Sequence, residues 1–154
     1  MALFSVPISA VAVSAAQNLW HIKAGATYGF WLHGFTLDQK TLTSVEGKEI
    51  DIVRHTVTVT QGSGGSAPTP TLLSPGSASS GVTAHINDTS RASAGTRTIV
   101  KSMVWQFLNG LFYLPPPEQR IWIAPATGLI IDLPTGPSGS MTVSGHLVYE
   151  EVGL

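Results

Sequence analysis

Apolar and polar residues alternate along much of the chain with a period of two. From Met141 to Tyr149, Met141, Val143, Leu147 and Tyr149 fall on one face while Thr142, Ser144 and His146 fall on the other. That is the pattern of a half-buried strand. Similar runs cover Tyr28 to Leu37, Ile50 to Thr60, Ile99 to Leu108, Arg120 to Ala124 and Leu129 to Leu133, all rich in Val, Ile, Thr and aromatic residues and bounded by Gly, Pro, Asn or Ser. Shorter candidates are Leu19 to Lys23, Val82 to Ile86 and Leu111 to Leu114. Helical periodicity is almost absent. About eight to ten short strands predict an all-β sandwich or barrel.

Two stretches interrupt the rhythm. Residues Gly62 to Gly81 form a long Gly/Ser/Pro connection, and Asn87 to Arg97 looks like a second. Loops of this length set between strand groups suit a jelly-roll-like β-sandwich, in which connections cross between two sheets. Gly62-Ser-Gly-Gly65 has the look of a phosphate-binding loop, but Ser66-Ala-Pro-Thr-Pro70 forbids the helix that such a loop needs. Flexible turn glycines are expected there instead. At the start of the chain, residues 1–16 are apolar and end in small residues, yet the first basic residue is Lys23. A secretory signal would begin with positive charge, and this run is shorter than the roughly 20 residues that span a bilayer. It reads as an N-terminal arm or first strand, ahead of a single β-sandwich domain over 17–154.

Composition then changes the picture. The chain has 8 Lys+Arg and 9 Asp+Glu among its 154 residues, so charged side chains make up 11%, well under half of the roughly 25% of an ordinary domain. Few charges leave the outside clothed in small polar and apolar groups, and such a surface is prone to association. Other copies of the chain, or other proteins, are expected to cover it. A net charge of −1 with no basic run argues against nucleic acid. The expected contact residues are Leu3, Phe4, Val6, Ile8 and Val11 of the arm, with Trp105 and Trp122. Trp122 is the strongest of these, because it alternates with Ile121 and Ile123 and should point away from their face. Laid across a neighbour as an added strand, the arm would satisfy an otherwise open edge.

Candidate chemistry is sparse. With no cysteine, thiolate metal sites and thiol catalysis are excluded. The five histidines, His21, His33, His55, His85 and His146, are scattered one per strand with no paired spacing, and metal sites need several ligands converging at about 2 Å. Chance and packing account for them, so no metal or other cofactor is expected. The carboxylates Asp38, Glu46, Glu49, Asp51, Asp88, Glu118, Asp132, Glu150 and Glu151 include several beside turn residues, where acids cap or solvate loops, and show no pairing of the kind a glycosidase needs. No enzyme is expected.

Several segments carry a resemblance. Gly62-Ser-Gly-Gly65 with Thr69-Pro70 downstream, Trp105-Gln-Phe-Leu-Asn-Gly110, Pro115-Pro-Pro-Glu-Gln-Arg120 leading into a strand, and the ending Leu147-Val-Tyr-Glu-Glu-Val-Gly153 together resemble small virion structural proteins of tailed bacteriophages, including the decoration or cement proteins of capsids. The resemblance spans about residues 50–153. It implies a jelly-roll-like sandwich, often trimeric, with no catalytic residues, and leaves head against tail open. With the low charge, the expectation is a homotrimer on the capsid surface, in contact with the major capsid protein or other virion proteins. The alternative is a receptor- or glycan-binding head domain of a tail or fibre.

Overall fold

A computed structural model describes residues 2–41, 45–74, 76 and 78–153. Their strands are β1 (Ala2–Val13), β2 (Gln17–Lys23), β3 (Tyr28–Thr41), β4 (Gly47–His55), β5 (Thr71–Leu72), β6 (Thr83–Asp88), β7 (Arg97–Gln106), β8 (Leu111–Tyr113), β9 (Ile121–Ile123), β10 (Gly128–Leu133) and β11 (Met141–Gly153), with one short 3-10 turn at Pro117–Gln119. None of the described residues forms a helix long and apolar enough to cross a membrane.

The strands form two antiparallel sheets packed face to face. In the first the order is β5-β1-β11-β3-β8, with β9 also on β3, and in the second it is β6-β2-β10-β4-β7. Strands β1 to β4 alternate between the sheets, and β10 and β11 return into the middle of each. This is a jelly roll. Residues 56–96 are inserted between β4 and β7, and add β5 beside β1 and β6 beside β2. The architecture expected from the periodicity is therefore present, with β5 arising inside the stretch read as a loop.

One core fills the space between the sheets, and the alternation in each strand supplies it. Met141, Val143, Leu147 and Tyr149 of β11 are buried, as are Phe30 and Leu32 and then Phe35 and Leu37 of β3. The apolar phase of β3 breaks at Gly34, where pairing with β11 slips between Val148 and Tyr149. Gly34 has φ +155°, and a Cβ there would lie 2.3 Å from the Tyr113 carbonyl oxygen. Only glycine lets β3 shift phase under β8.

The N-terminal stretch is a full strand of this chain. β1 pairs with β11 from Ala2↔Glu151 to Val13↔Met141, with a bulge between Ile8 and Val11 around Ala10 at φ 52°. Phe4, Val6, Ile8 and Val13 are buried in the core, and the Trp20 indole of the opposite sheet donates to the Val6 carbonyl at 3.0 Å. The reason is geometric: residues 14–16 make a tight turn into β2, so β1 folds back on its own domain instead of reaching a neighbour.

The long Gly/Ser/Pro stretch is pinned rather than loose. Ser63 pairs with Ser90, Ser66 with Ile86 and Thr60 with Ser93. A Cβ on Gly62 would lie 2.4 Å from the Ser90 carbonyl oxygen, and one on Gly65 2.0 Å from that of Ile86. These glycines allow two backbones to touch, which replaces the expectation of flexible turns. The far end is clamped at β11, where the Ser80 hydroxyl bonds the Tyr149 phenol at 2.7 Å and Glu151 at 2.8 Å.

Candidate functional site

The seven expected contact residues separate into two groups. Phe4, Val6, Ile8 and Trp105 are at most 2% exposed within the chain's own core. That corrects their assignment to an intermolecular surface: each faces inward on its strand, and Trp105 packs edge-on against Phe107 with centroids 4.9 Å apart. Val11 is partly buried against the same core. Leu3 is exposed, and Trp122 is half-buried. Trp122 points away from the buried Ile121 and Ile123, and stacks at a tilt on its cross-strand partner Trp31, with centroids 5.0 Å apart.

An apolar edge emerges elsewhere. β7 and β8 are the outer strands of the two sheets on one side of the sandwich, joined by a short turn, and the Lys101 ammonium of β7 sits 5.3 Å above the Tyr113 ring of β8. Around this side Ile99, Val104, Leu108, Phe112 and Leu114 are more than half exposed, with Ile99 and Val104 on the outer face of the second sheet and Phe112 on that of the first. Exposed apolar side chains flanking an edge strand are uncommon on a monomer. The signal in the sequence was the run Ile99-Val-Lys-Ser-Met-Val-Trp105, where apolar residues occupy both phases, so both could not face one core.

The outer face of the second sheet carries most of the buried polar groups. Cross-strand pairing sets Asp88, Asn18, Asp132, Asp51 and Ser102 in one row, and His85, His21, Ile130, Val53 and Ile99 in the next. The insertion lies over them. Arg91 grips the Asp132 carboxylate, the Asn18 amide donates to Asp132 at 2.8 Å, and the Ala92 N–H donates to Asn18 at 2.6 Å. Val53, Val59, Ala92 and Ile130 form a small second core beneath. Asp51 and Asp132 are thus direct neighbours, but Asp132 is held by Arg91 and Asn18 and Asp51 by the Ser102 hydroxyl. This arrangement ties the insertion to the sheet.

The histidines are less scattered than their spacing implied. His21 and His55 meet on the same face, Nε2 to Nε2 at 2.8 Å, with rings edge-on. His55 Nδ1 donates to the Thr56 carbonyl at 2.7 Å, so its Nε2 accepts and His21 Nε2 donates. Burial is the main cause that lowers both from the usual imidazole value, and His21 falls to about 3 with further help from His55. Both are neutral near pH 7. Among the described residues no group of three or more His, Asp or Glu side chains converges in a way that would hold a metal ion.

A pocket of about 330 Å³ opens at the mouth between the sheets, lined by Arg54, His55, Thr56, Thr98, Trp122 and Thr127 among others. A second, of about 470 Å³, lies on the outer face between Asp51, Arg91, Arg97 and Asp132. Comparison of the chain with known protein families, curated proteins and solved structures found no match.

Proposed function

We propose that the chain is a non-enzymatic structural protein that assembles as a homotrimer and decorates or cements the capsid of a phage particle. The observation that carries the reading is the exposed apolar edge along β7 and β8 on a domain with 11% charged residues. The jelly roll agrees with what the resemblance to virion proteins implies. A cyclic trimer joins two different surfaces head to tail, and the fold offers a second apolar edge on its other side, where Leu3 and Leu73 are exposed beside β5. The fold itself has features that disfavour simple strand-to-strand addition at β7: an inward-facing Lys101 and a bulge opposite Ile52 and Val53. Side-chain packing is then the mode of contact. Area buried across a joint contributes about 25 cal/mol per Å² before association costs, and three attachment points raise occupancy.

The test is the solution mass of the purified chain, followed by mixing with undecorated shells. A trimer that binds shells is expected, and Phe112→Lys with Val104→Lys should yield a monomer that keeps a cooperative thermal transition, at a melting temperature lowered by the lost association. A wild-type monomer that ignores shells overturns the reading. The competing reading, a receptor- or glycan-binding head, rests on a different feature, the pocket beside Trp122.

A further inference from the structure

We infer that the pocket at the mouth between the sheets is a binding site for a saccharide bearing a carboxylate, with the sugar ring against Trp122 and the carboxylate on Arg54. Its volume of about 330 Å³ falls in the range of small-ligand sites. Its lining holds a guanidinium, an indole and several threonine hydroxyls but no carboxylate.

Arg54 is the anchor. In β4 the buried Ile50 and Ile52 face the core, and Arg54 continues that row at the strand's end, so its side chain leaves the space between the sheets through the pocket. Arg91 is engaged with Asp132, and Arg97 donates to the Ala92 carbonyl at 2.7 Å. The Arg54 side chain has no hydrogen bond or ion pair to any described residue. A free guanidinium fork is shaped for the two oxygens of a carboxylate. His55 supplies no competing charge, since both of its ring nitrogens are engaged, with the Thr56 carbonyl and with His21. One cation therefore faces the ligand, which suits a single negative charge better than a polyphosphate.

Trp122 is the platform. Its ring lies over Gly29, where a Cβ would come within 2.6 Å of the indole, and Trp31 backs it at 5.0 Å. The glycine thus makes the recess that holds the ring in place. A half-buried, pre-positioned aromatic ring in the pocket's lining offers apolar surface with little ordering cost on binding, and the apolar face of a pyranose is its natural complement. Thr98, exposed beside Arg54 as its cross-strand partner, offers a hydroxyl to the ring substituents.

The experiment titrates the full-length protein with glucuronic acid, galacturonic acid, glucose, galactose and acetate, following calorimetry and backbone amide shifts. Expected is binding of at least one uronic acid in the millimolar range, at least about tenfold tighter than its neutral counterpart or acetate, a gap of about 1.4 kcal/mol. Shifts should centre on Arg54, Thr98 and Trp122. Arg54→Gln should bring acidic and neutral sugars to equal affinity, and Trp122→Leu should weaken both, with melting temperatures recording that each variant folds. Equal affinity for neutral and acidic sugars in the wild type, acetate binding as tightly as the sugars, or no shift at these residues with any probe each overturns the inference. The titration reads the ligand and the mass measurement reads the assembly, so either proposal can fail alone.

Discussion

His21 shows what a single buried side chain does to the stability of this fold. It is 3% exposed, its Nε2–H is committed to His55, and its Nδ1 has no hydrogen-bond partner among the described residues. Protonating it inside the protein would place a cation beside His55, His85 and Lys23. The unfolded chain accepts that proton near the ordinary value of 6.5, whereas the folded one resists until about 3. More protons are then bound by the unfolded state throughout that window, so stability is full above pH 6.5 and lost as pH falls, by about 1.4 kcal/mol per pH unit for one such group. Denaturant unfolding between pH 6.5 and 5 should show this slope, and His21→Gln should reduce it; an unchanged slope in the variant would assign acid sensitivity to other groups. Gly65 makes a second point at this scale. Gly65→Ala places a methyl against the Ile86 carbonyl, and the expected cost is roughly 2 kcal/mol or more, measured by the same unfolding curves. Neither effect was legible in the sequence. The meeting of His21 with His55 depends on β2 and β4 both flanking β10, a nonlocal register, and a glycine in a Ser/Gly run looks the same whether it is loose or touching backbone. Trp122 was legible, because Ile121 and Ile123 fix its side locally.

The strands themselves could be read from alternation wherever one face is buried and the other wet, as in β11. Reading failed where alternation is absent for a physical reason. β2 is buried over nearly its whole length, since the core lies on one side and the insertion on the other, and only Leu19 to Lys23 stands out in the sequence. β5 is two residues long and exists because Phe4↔Leu72 and Ser5↔Thr71 pairing caps the β1 edge. Pro7 lacks an N–H and sits just past that pairing, which suits a place where β1 has no neighbour on its outer side. The insertion is the element that ties these parts together, and Arg91 is its main electrostatic link to the sheet. Arg91→Ala would leave Asp132, 5% exposed, with Asn18 as its remaining side-chain donor. Because the Arg91 side chain is about one-third exposed, at 36%, solvent discounts the loss, and about 1–2 kcal/mol is expected. Hydrogen exchange should rise at Ala92 and Ser93 more than in β10. Uniform loosening of the whole second sheet would instead make Arg91 part of the main core's support.

For the whole molecule, the decisive question is whether β1 belongs to its own domain or can be lent to a neighbour. The structure pairs it with β11 along its length, with β5 covering its outer side at Phe4 and Ser5, and Phe4, Val6, Ile8 and Val13 are at 0–2% exposure. Burying each such side chain contributes roughly 1.5–3 kcal/mol, so four together rival the 5–15 kcal/mol by which a domain is stable at all. Removing β1 would also strip one entire side of β11 of its hydrogen bonds and leave the Trp20 indole, which donates to the Val6 carbonyl, without its acceptor. A chain lacking residues 2–13 should therefore fail to fold, giving no cooperative thermal transition and a circular dichroism spectrum without sheet. A strand that served only to grip a neighbour would leave a folded monomer after the same deletion. Recovering such a monomer, with its near-ultraviolet tryptophan signal intact, would show that β1 is dispensable to the core and would return the N-terminus to the role of an exchanging arm. Loss of folding, joined with a normal fold and lowered mass for Phe112→Lys with Val104→Lys, would instead locate self-association at the β7 and β8 edge and leave β1 a purely internal task.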